Sequence, residues 1–149
     1  YQNTNKAQSL KSEMDVLFSD LSNSPNLKNQ PRIAIGTPYE NPVYLNRNDA
    51  GGQRGVWDQD QLHSSWKIAL QEGVYNLKFK FITPITGGGE MQLELGEKIY
   101  KKHNSIEWVD ELVWEGISLP QGQFDFRPFY TKERRSNYFP FWVKIEKIN

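Results

Sequence analysis

The stretch "GVYNLKFKFI", residues 73–82, decides the fold class of this chain. Large apolar side chains take every second position and polar ones lie between them: Tyr75, Leu77, Phe79 and Phe81 against Asn76, Lys78 and Lys80. A period of two predicts a β-strand with one face in the core and one face in water.

The same period recurs on both sides of this strand, from Pro31 to the end of the chain. Short alternating runs are separated by turn-forming residues: "RIAIG" (32–36), "PVYLN" (42–46), "SWKIAL" (65–70), "EMQLELG" (90–96), "NSIEWVDELVWEGISLP" (104–120, two strands), "GQFDFRPF" (122–129) and "YFPFWVKIEKI" (138–148). About eight such strands without crossover helices predict an antiparallel β-sandwich or jelly roll, an architecture of carbohydrate-binding modules.

The alternation also makes finer predictions. In the last strand it places Phe139, Phe141, Val143 and Ile145 on the core face and Trp142 on the other. Trp66, Trp108 and Trp114 are in phase with core positions. The glycines of "TGGGE", 86–90, are expected to form a hairpin turn.

The N-terminal segment has a different period. Apolar residues there step by three and four, which predicts one amphipathic helix: Ala7, Leu10, Met14, Leu17, Phe18 and Leu21. The helix ends in "SNSPNLKNQP", 22–31. Its stripe either packs on the β-domain or belongs against a preceding domain. We therefore divide the chain into residues 1–30, a helix and linker, and residues 31–149, the sandwich.

Composition excludes several function classes. Lys and Arg total 18 and so do Asp and Glu, so no net charge attracts nucleic acid or an anionic membrane. No apolar run is long enough to span a bilayer. Cysteine is absent, which removes disulfides and thiol nucleophiles. The chain has no phosphate-loop, zinc-protease or serine-hydrolase motif, and no motif links His63 with His103, so no metal site is expected.

A polar stretch, "VYLNRNDAGGQRGVWDQDQLHSSW" (43–66), supports two interpretations. As a structural loop, its amide and carboxylate side chains satisfy backbone groups around a glycine turn: Asn46, Arg47, Asp49, Gly51 and Gly52. As a binding patch, Trp57 offers a ring for a sugar, with Arg54 and His63 as polar neighbours.

A second polar segment, "YTKERRSNYFP" (130–140), carries the basic residues Arg134 and Arg135. It is either a solvated hairpin loop or a loop that meets a sulfated glycan, because guanidinium groups match sulfate oxygens as they match phosphate.

Several phrases together resemble the C-terminal region of arylsulfatase-type sulfatases of Bacteroidetes. "PRIAIGTPYENPVYLNRNDAGGQRGVW" (31–57) is the distinctive block, followed by "GVYNLKFKFI" and the "SLPQG" turn at 118–122. In that family a last helix of the sulfatase domain leads into a tryptophan-rich β-module. The resemblance implies that residues 1–30 are the tail of a preceding sulfatase domain and that this chain is the C-terminal region of a sulfate-ester hydrolase.

The family's catalytic elements have no counterpart here. Its Cys/Ser-x-Pro-x-Arg segment, source of the formylglycine nucleophile, is missing because the chain has no Cys and Gly122 stands where "SLPQG" would need Arg. The calcium ligands of the family also lie outside this chain, so no cofactor is expected here. The resemblance implies a non-catalytic accessory domain, periplasmic or secreted, whose partner is the sulfatase domain of the same polypeptide and whose further partner is a sulfated glycan. The alternative is a carbohydrate-binding module that uses exposed aromatic residues.

Overall fold

The chain forms two compact units, Tyr1–Pro31 and Arg32–Asn149, in a computed structural model. The structure describes residues 3–29, 31–52, 63–105, 108–132 and 136–149. The predicted division lies one residue earlier, between residues 30 and 31.

The first unit is helical. Helix α1 spans Thr4–Asn23 and the single-turn helix α2 spans Pro25–Lys28. Pro25 ends the longer helix because its nitrogen has no hydrogen to donate, and it begins the next helix at a position that needs none. Neither described helix is both long and apolar enough to cross a membrane.

The second unit holds two β-sheets. The larger has the order β1-β4-β9-β6-β7, with β3 beside β4 and β10 beside β9, and the smaller has the order β2-β11-β5-β8. The strands are β1 Ile33–Ile35, β2 Val43–Asn46, β3 Gly51–Gly52, β4 Ser64–Leu70, β5 Gly73–Thr86, β6 Gly89–Leu95, β7 Lys98–Asn104, β8 Trp108–Leu119, β9 Gly122–Lys132, β10 Ser136–Tyr138 and β11 Trp142–Lys147.

One apolar core joins the two sheets. Trp66 of β4 stacks on Phe139 with ring centroids 4.7 Å apart, and its indole nitrogen donates to the Asn46 carbonyl of β2 at 2.7 Å. Phe81 of β5 meets Tyr130 of β9 edge to face. The four predicted core residues of β5 are fully buried. These contacts cross between the sheets, so the predicted sandwich is confirmed, while jelly-roll connectivity stays a prediction.

The antiparallel prediction is wrong at one pair. Strand β1 runs parallel to β4, with Ile33 opposite Ile68 and Ile35 opposite Leu70. Between them the chain passes through β2 of the smaller sheet and the short β3 of the larger one, so β1 and β4 are not joined by a hairpin.

Strands β7 and β8 also differ from the sequence prediction. Strand β7 was not predicted, because lysines lie on both of its faces and blur the alternation. Residues 108–119 form one strand and not two. The register shifts opposite Tyr75–Leu77, and Gly116, at φ 68°, donates its N–H to the Asn76 side chain there. This bulge absorbs the glycine without ending the strand.

The predicted hairpin at the glycines is wrong as well. Gly87 and Gly88 connect β5 of the smaller sheet with β6 of the larger one, so the turn passes between sheets. The predicted burial of Phe141 is also wrong, since its side chain is 44% exposed. Phe141 precedes the first paired residue of β11, Trp142, so the alternation of that strand does not yet apply to it.

Candidate functional site

The polar stretch begins with a hydrogen-bonded turn. Asn46 ends β2, and its side-chain oxygen accepts from the Asn48 N–H at 2.8 Å, the geometry of an Asx-turn. Arg47 opens the 3₁₀ turn Arg47–Asp49 and is only 4% exposed. Its guanidinium donates to the carbonyls of Phe139 at 2.6 Å and Pro140 at 3.2 Å. The turn is thereby joined to the segment that leads into β11, and Asp49 stays on its exposed side.

The glycine pair after this turn forms β3. Gly51 lies opposite Ser65 and Gly52 opposite Ser64. Gly52 has φ 112°, and a Cβ on it would meet the His63 carbonyl at 2.6 Å. The close approach of two backbones therefore requires glycine at this position.

A cleft of about 180 Å³ lies where two strands share one edge of β9. Strand β4 pairs with Gly122–Phe126 and β10 pairs with Tyr130–Lys132, while β6 covers the opposite edge. The space between β4 and β10, which we call the edge cleft, is lined by residues of four strands and by one residue just before β4 and one just after β10: His63, Ser64, Glu94, Arg127, Phe129, Asn137 and Phe139.

Polar contacts surround the partly buried Phe129 ring. Arg127 donates to Glu94 at 3.3 Å on one side, and Thr131 donates to the Asn137 side chain at 3.1 Å on the other. Gln92 of β6 lies directly opposite Phe129 in the pairing of β6 with β9. The alternation of β9 explains this grouping, because residues two apart share one face of a strand.

A pair of aromatic rings lies on the outer face of the smaller sheet. Tyr44 is 57% exposed, and its ring meets Trp142 edge to face at 5.9 Å. Lys144, cross-strand from Tyr44, donates to Glu146 at 2.9 Å, and this hydrogen bond holds the pKa of Lys144 above its ordinary value.

Of the five predicted ligand-binding residues, one can be placed. His63 is exposed and lines the edge cleft. Trp57, Arg54, Arg134 and Arg135 lie outside the described residues. Among the described ranges, no three His, Asp or Glu side chains are grouped so that they could hold a metal ion.

Sequence reasoning missed Arg127, Phe129 and Asn137 of the edge cleft, and Tyr44 of the ring pair. The alternation in "GQFDFRPF" does put Arg127 and Phe129 on the same face, opposite Phe126. Three tryptophans have predicted core positions, and the described two differ in burial. Trp66 is fully buried and Trp114 is partly buried, while the side chain of Trp108 lies outside the described set.

The apolar stripe of α1 forms a further surface on the helical unit. Its large members are each more than half exposed: Leu10, Met14, Leu17, Phe18 and Leu21. No described residue of this helix is buried.

Comparison with known proteins gives no family. No protein-family model matches the chain, and no curated protein matches it. Among solved structures, a ruminal GH26 endo-β-1,4-mannanase is similar, with a TM-score of 0.45 and 11% identity over 72% of this chain and 26% of that one. This chain thus spans about a quarter of the mannanase chain. A likeness at this level assigns no function.

Proposed function

We propose that this chain is a non-catalytic accessory module of a sulfate-ester hydrolase. The observation that carries the proposal is the exposed apolar stripe of α1, from Leu10 to Leu21. The resemblance of residues 31–57 to sulfatase C-terminal regions supplies the partner, which is the catalytic domain of such an enzyme.

The stripe supports a docking role on energetic grounds. Fully burying a Leu, Met or Phe side chain contributes about 1.5–3 kcal/mol, so covering the exposed half of five such residues contributes on the order of 5 kcal/mol. In proteins, most of the stability of a helix comes from packing its apolar face and not from the propensity of its residues. A second folded surface would therefore stabilise the helix and hold the sandwich to the enzyme.

Variants of the full-length hydrolase test this role. Phe18→Ser removes the largest stripe residue, whereas Val16→Ser removes an equally exposed apolar side chain from the opposite side of the helix. We expect Phe18→Ser to lower the melting temperature of the enzyme and Val16→Ser to leave it unchanged. Equal effects of the two variants would contradict docking through the stripe.

Two further measurements test the assignment to a sulfatase. An in-frame sulfatase domain in the coding sequence upstream of Tyr1 would support it, and an unrelated upstream domain would contradict it. Hydrolysis of a chromogenic sulfate ester by this 149-residue chain alone would contradict the non-catalytic role.

A second candidate function is glycan binding by the sandwich itself. The observation that favours it is the presence of rings beside polar side chains at two places, Phe129 in the edge cleft and Tyr44 with Trp142 on the other sheet. Sugar rings pack their apolar faces on aromatic side chains while polar groups take the hydroxyls. Calorimetric titration with neutral and sulfated oligosaccharides tests it, and no heat from any of them would argue against it.

A further inference from the structure

We propose that the edge cleft binds one uncharged sugar residue, an inference that rests on the glycan-binding candidate and names its site and ligand class. The cleft owes its existence to strand pairing. Strands β4 and β10 pair with different parts of the same β9 edge, and residues 127–129 lie between the two paired parts. The site is therefore built on the backbone of the sheet and does not depend on a single loop.

The charges of the lining favour a neutral ligand. Arg127 and Glu94 are one cation and one anion, and they already face each other at 3.3 Å. A sulfate or phosphate group would have to draw Arg127 away from Glu94 and would meet that carboxylate beside it. A sugar hydroxyl can instead donate to Glu94 and accept from Arg127 at the same time, which leaves the ion pair intact.

The other polar side chains add to this recognition of hydroxyl groups. The Asn137 side-chain oxygen already accepts from Thr131, and within the described part of the chain its amide nitrogen has no hydrogen-bond acceptor. It can therefore donate to a ligand. His63, at the opposite wall, supplies an imidazole that can donate or accept.

The aromatic ring of Phe129 and the volume of the cleft favour a ligand that is a single sugar ring. Phe129 is partly buried between these polar groups, so it offers an apolar patch to the C–H face of a pyranose. The volume of about 180 Å³ is below the roughly 300–1,000 Å³ of pockets that enclose drug-sized ligands. One residue of a glycan fits that space, and the rest of the glycan would extend into solvent.

Isothermal titration of this chain tests the inference. The probes are the neutral hexasaccharides of β-1,4-glucose, β-1,4-mannose, β-1,4-xylose and β-1,3-glucose, with sulfated κ-carrageenan oligosaccharides as the charged counterpart. The site variants are Phe129→Leu, which keeps an apolar side chain but removes the aromatic face, and Asn137→Asp, which replaces the amide donor with a charge. Trp142→Leu tests the ring pair on the other sheet, and the control is Tyr39→Leu, which removes an exposed ring that belongs to neither place. Melting curves establish that each variant is folded.

We expect at least one neutral hexasaccharide to bind, with Kd raised about tenfold by Phe129→Leu or by Asn137→Asp and unchanged by Tyr39→Leu. Kd should be the same at low and high salt, because a neutral ligand releases no counterions. If a neutral glycan binds but only Trp142→Leu weakens it, the edge cleft is not the site, although glycan binding stands. Binding of the sulfated probe alone, with strong salt dependence, overturns the uncharged class. No binding by any probe overturns the inference together with the glycan-binding candidate.

Discussion

Replacing the buried Arg47 should destabilise the sandwich. The side chain is 4% exposed and donates to two main-chain carbonyls, those of Phe139 and Pro140. A hydrogen bond from a charged donor contributes about 1.5–3 kcal/mol to stability. Arg47→Met loses two of them, so it should lower the free energy of unfolding by about 3–6 kcal/mol, and both carbonyls lose this donor. Methionine keeps most of the aliphatic volume, so little of the loss comes from a cavity.

Urea and thermal unfolding followed by tryptophan fluorescence measure the effect. For a domain of this size, about 4 °C of melting temperature corresponds to each kcal/mol, so we expect Arg47→Met to melt roughly 12–24 °C lower. Arg127→Met is the matched control, because Arg127 is half exposed and pairs with Glu94 at the surface, where ion pairs contribute about 0–1 kcal/mol. If the two variants melt within about 2 °C of each other, Arg47 does not hold the turn in the way described.

Three other changes give distinct results. Gly36→Ala should lower the free energy of unfolding by about 2–4 kcal/mol, because Gly36 has φ 81° and the new methyl group would collide with the Tyr75 hydroxyl. Gly116→Ala should lower it by only about 1–2 kcal/mol, because Gly116 has φ 68° but no neighbour within 4 Å. Equal losses in urea unfolding would disprove the collision. Burial raises the pKa of Tyr75 from 10.0 to about 12, so the neutral phenol favours the folded state and its contribution, complete below pH 10, is lost as pH rises towards 12. Between pH 10 and pH 12 the free energy of unfolding of the unchanged protein should therefore fall about 1.4 kcal/mol per pH unit more steeply than that of Tyr75→Phe. Parallel curves for the two proteins would refute this role of Tyr75. Trp66→Phe should cost about 2–3 kcal/mol in thermal unfolding, because it loses the bond to the Asn46 carbonyl and part of a buried stack; an unchanged melting temperature would speak against that bond.

The strands that the sequence predicted well are those with one buried and one wet face. In β5 the alternate residues from Tyr75 to Phe81 are buried, as the alternation in the sequence predicts. In β6 the same is true of Met91, Leu93 and Leu95. A period of two is local information, so it survives without any knowledge of the partner strands.

The edge cleft could not be predicted because it depends on pairing between distant segments. Ser64 and Asn137 are far apart in sequence and meet only because β4 and β10 both select the same edge of β9. The glycines at 87–88 mislead for a similar reason. The same turn residues serve a hairpin or a passage between sheets, and only the pairing of the strands on either side distinguishes the two.

Strand β7 has a consequence for how this protein behaves at high concentration. It is an edge strand of the larger sheet, and an exposed edge is a template on which another molecule can add a strand. Three of its seven residues are lysines: Lys98, Lys101 and Lys102. Lys102 donates to the Val113 carbonyl of β8, at the edge of the smaller sheet, at 2.9 Å. The lysines that interrupt the alternation of β7 thus oppose intermolecular strand pairing, and with it aggregation, at the edge strands β7 and β8.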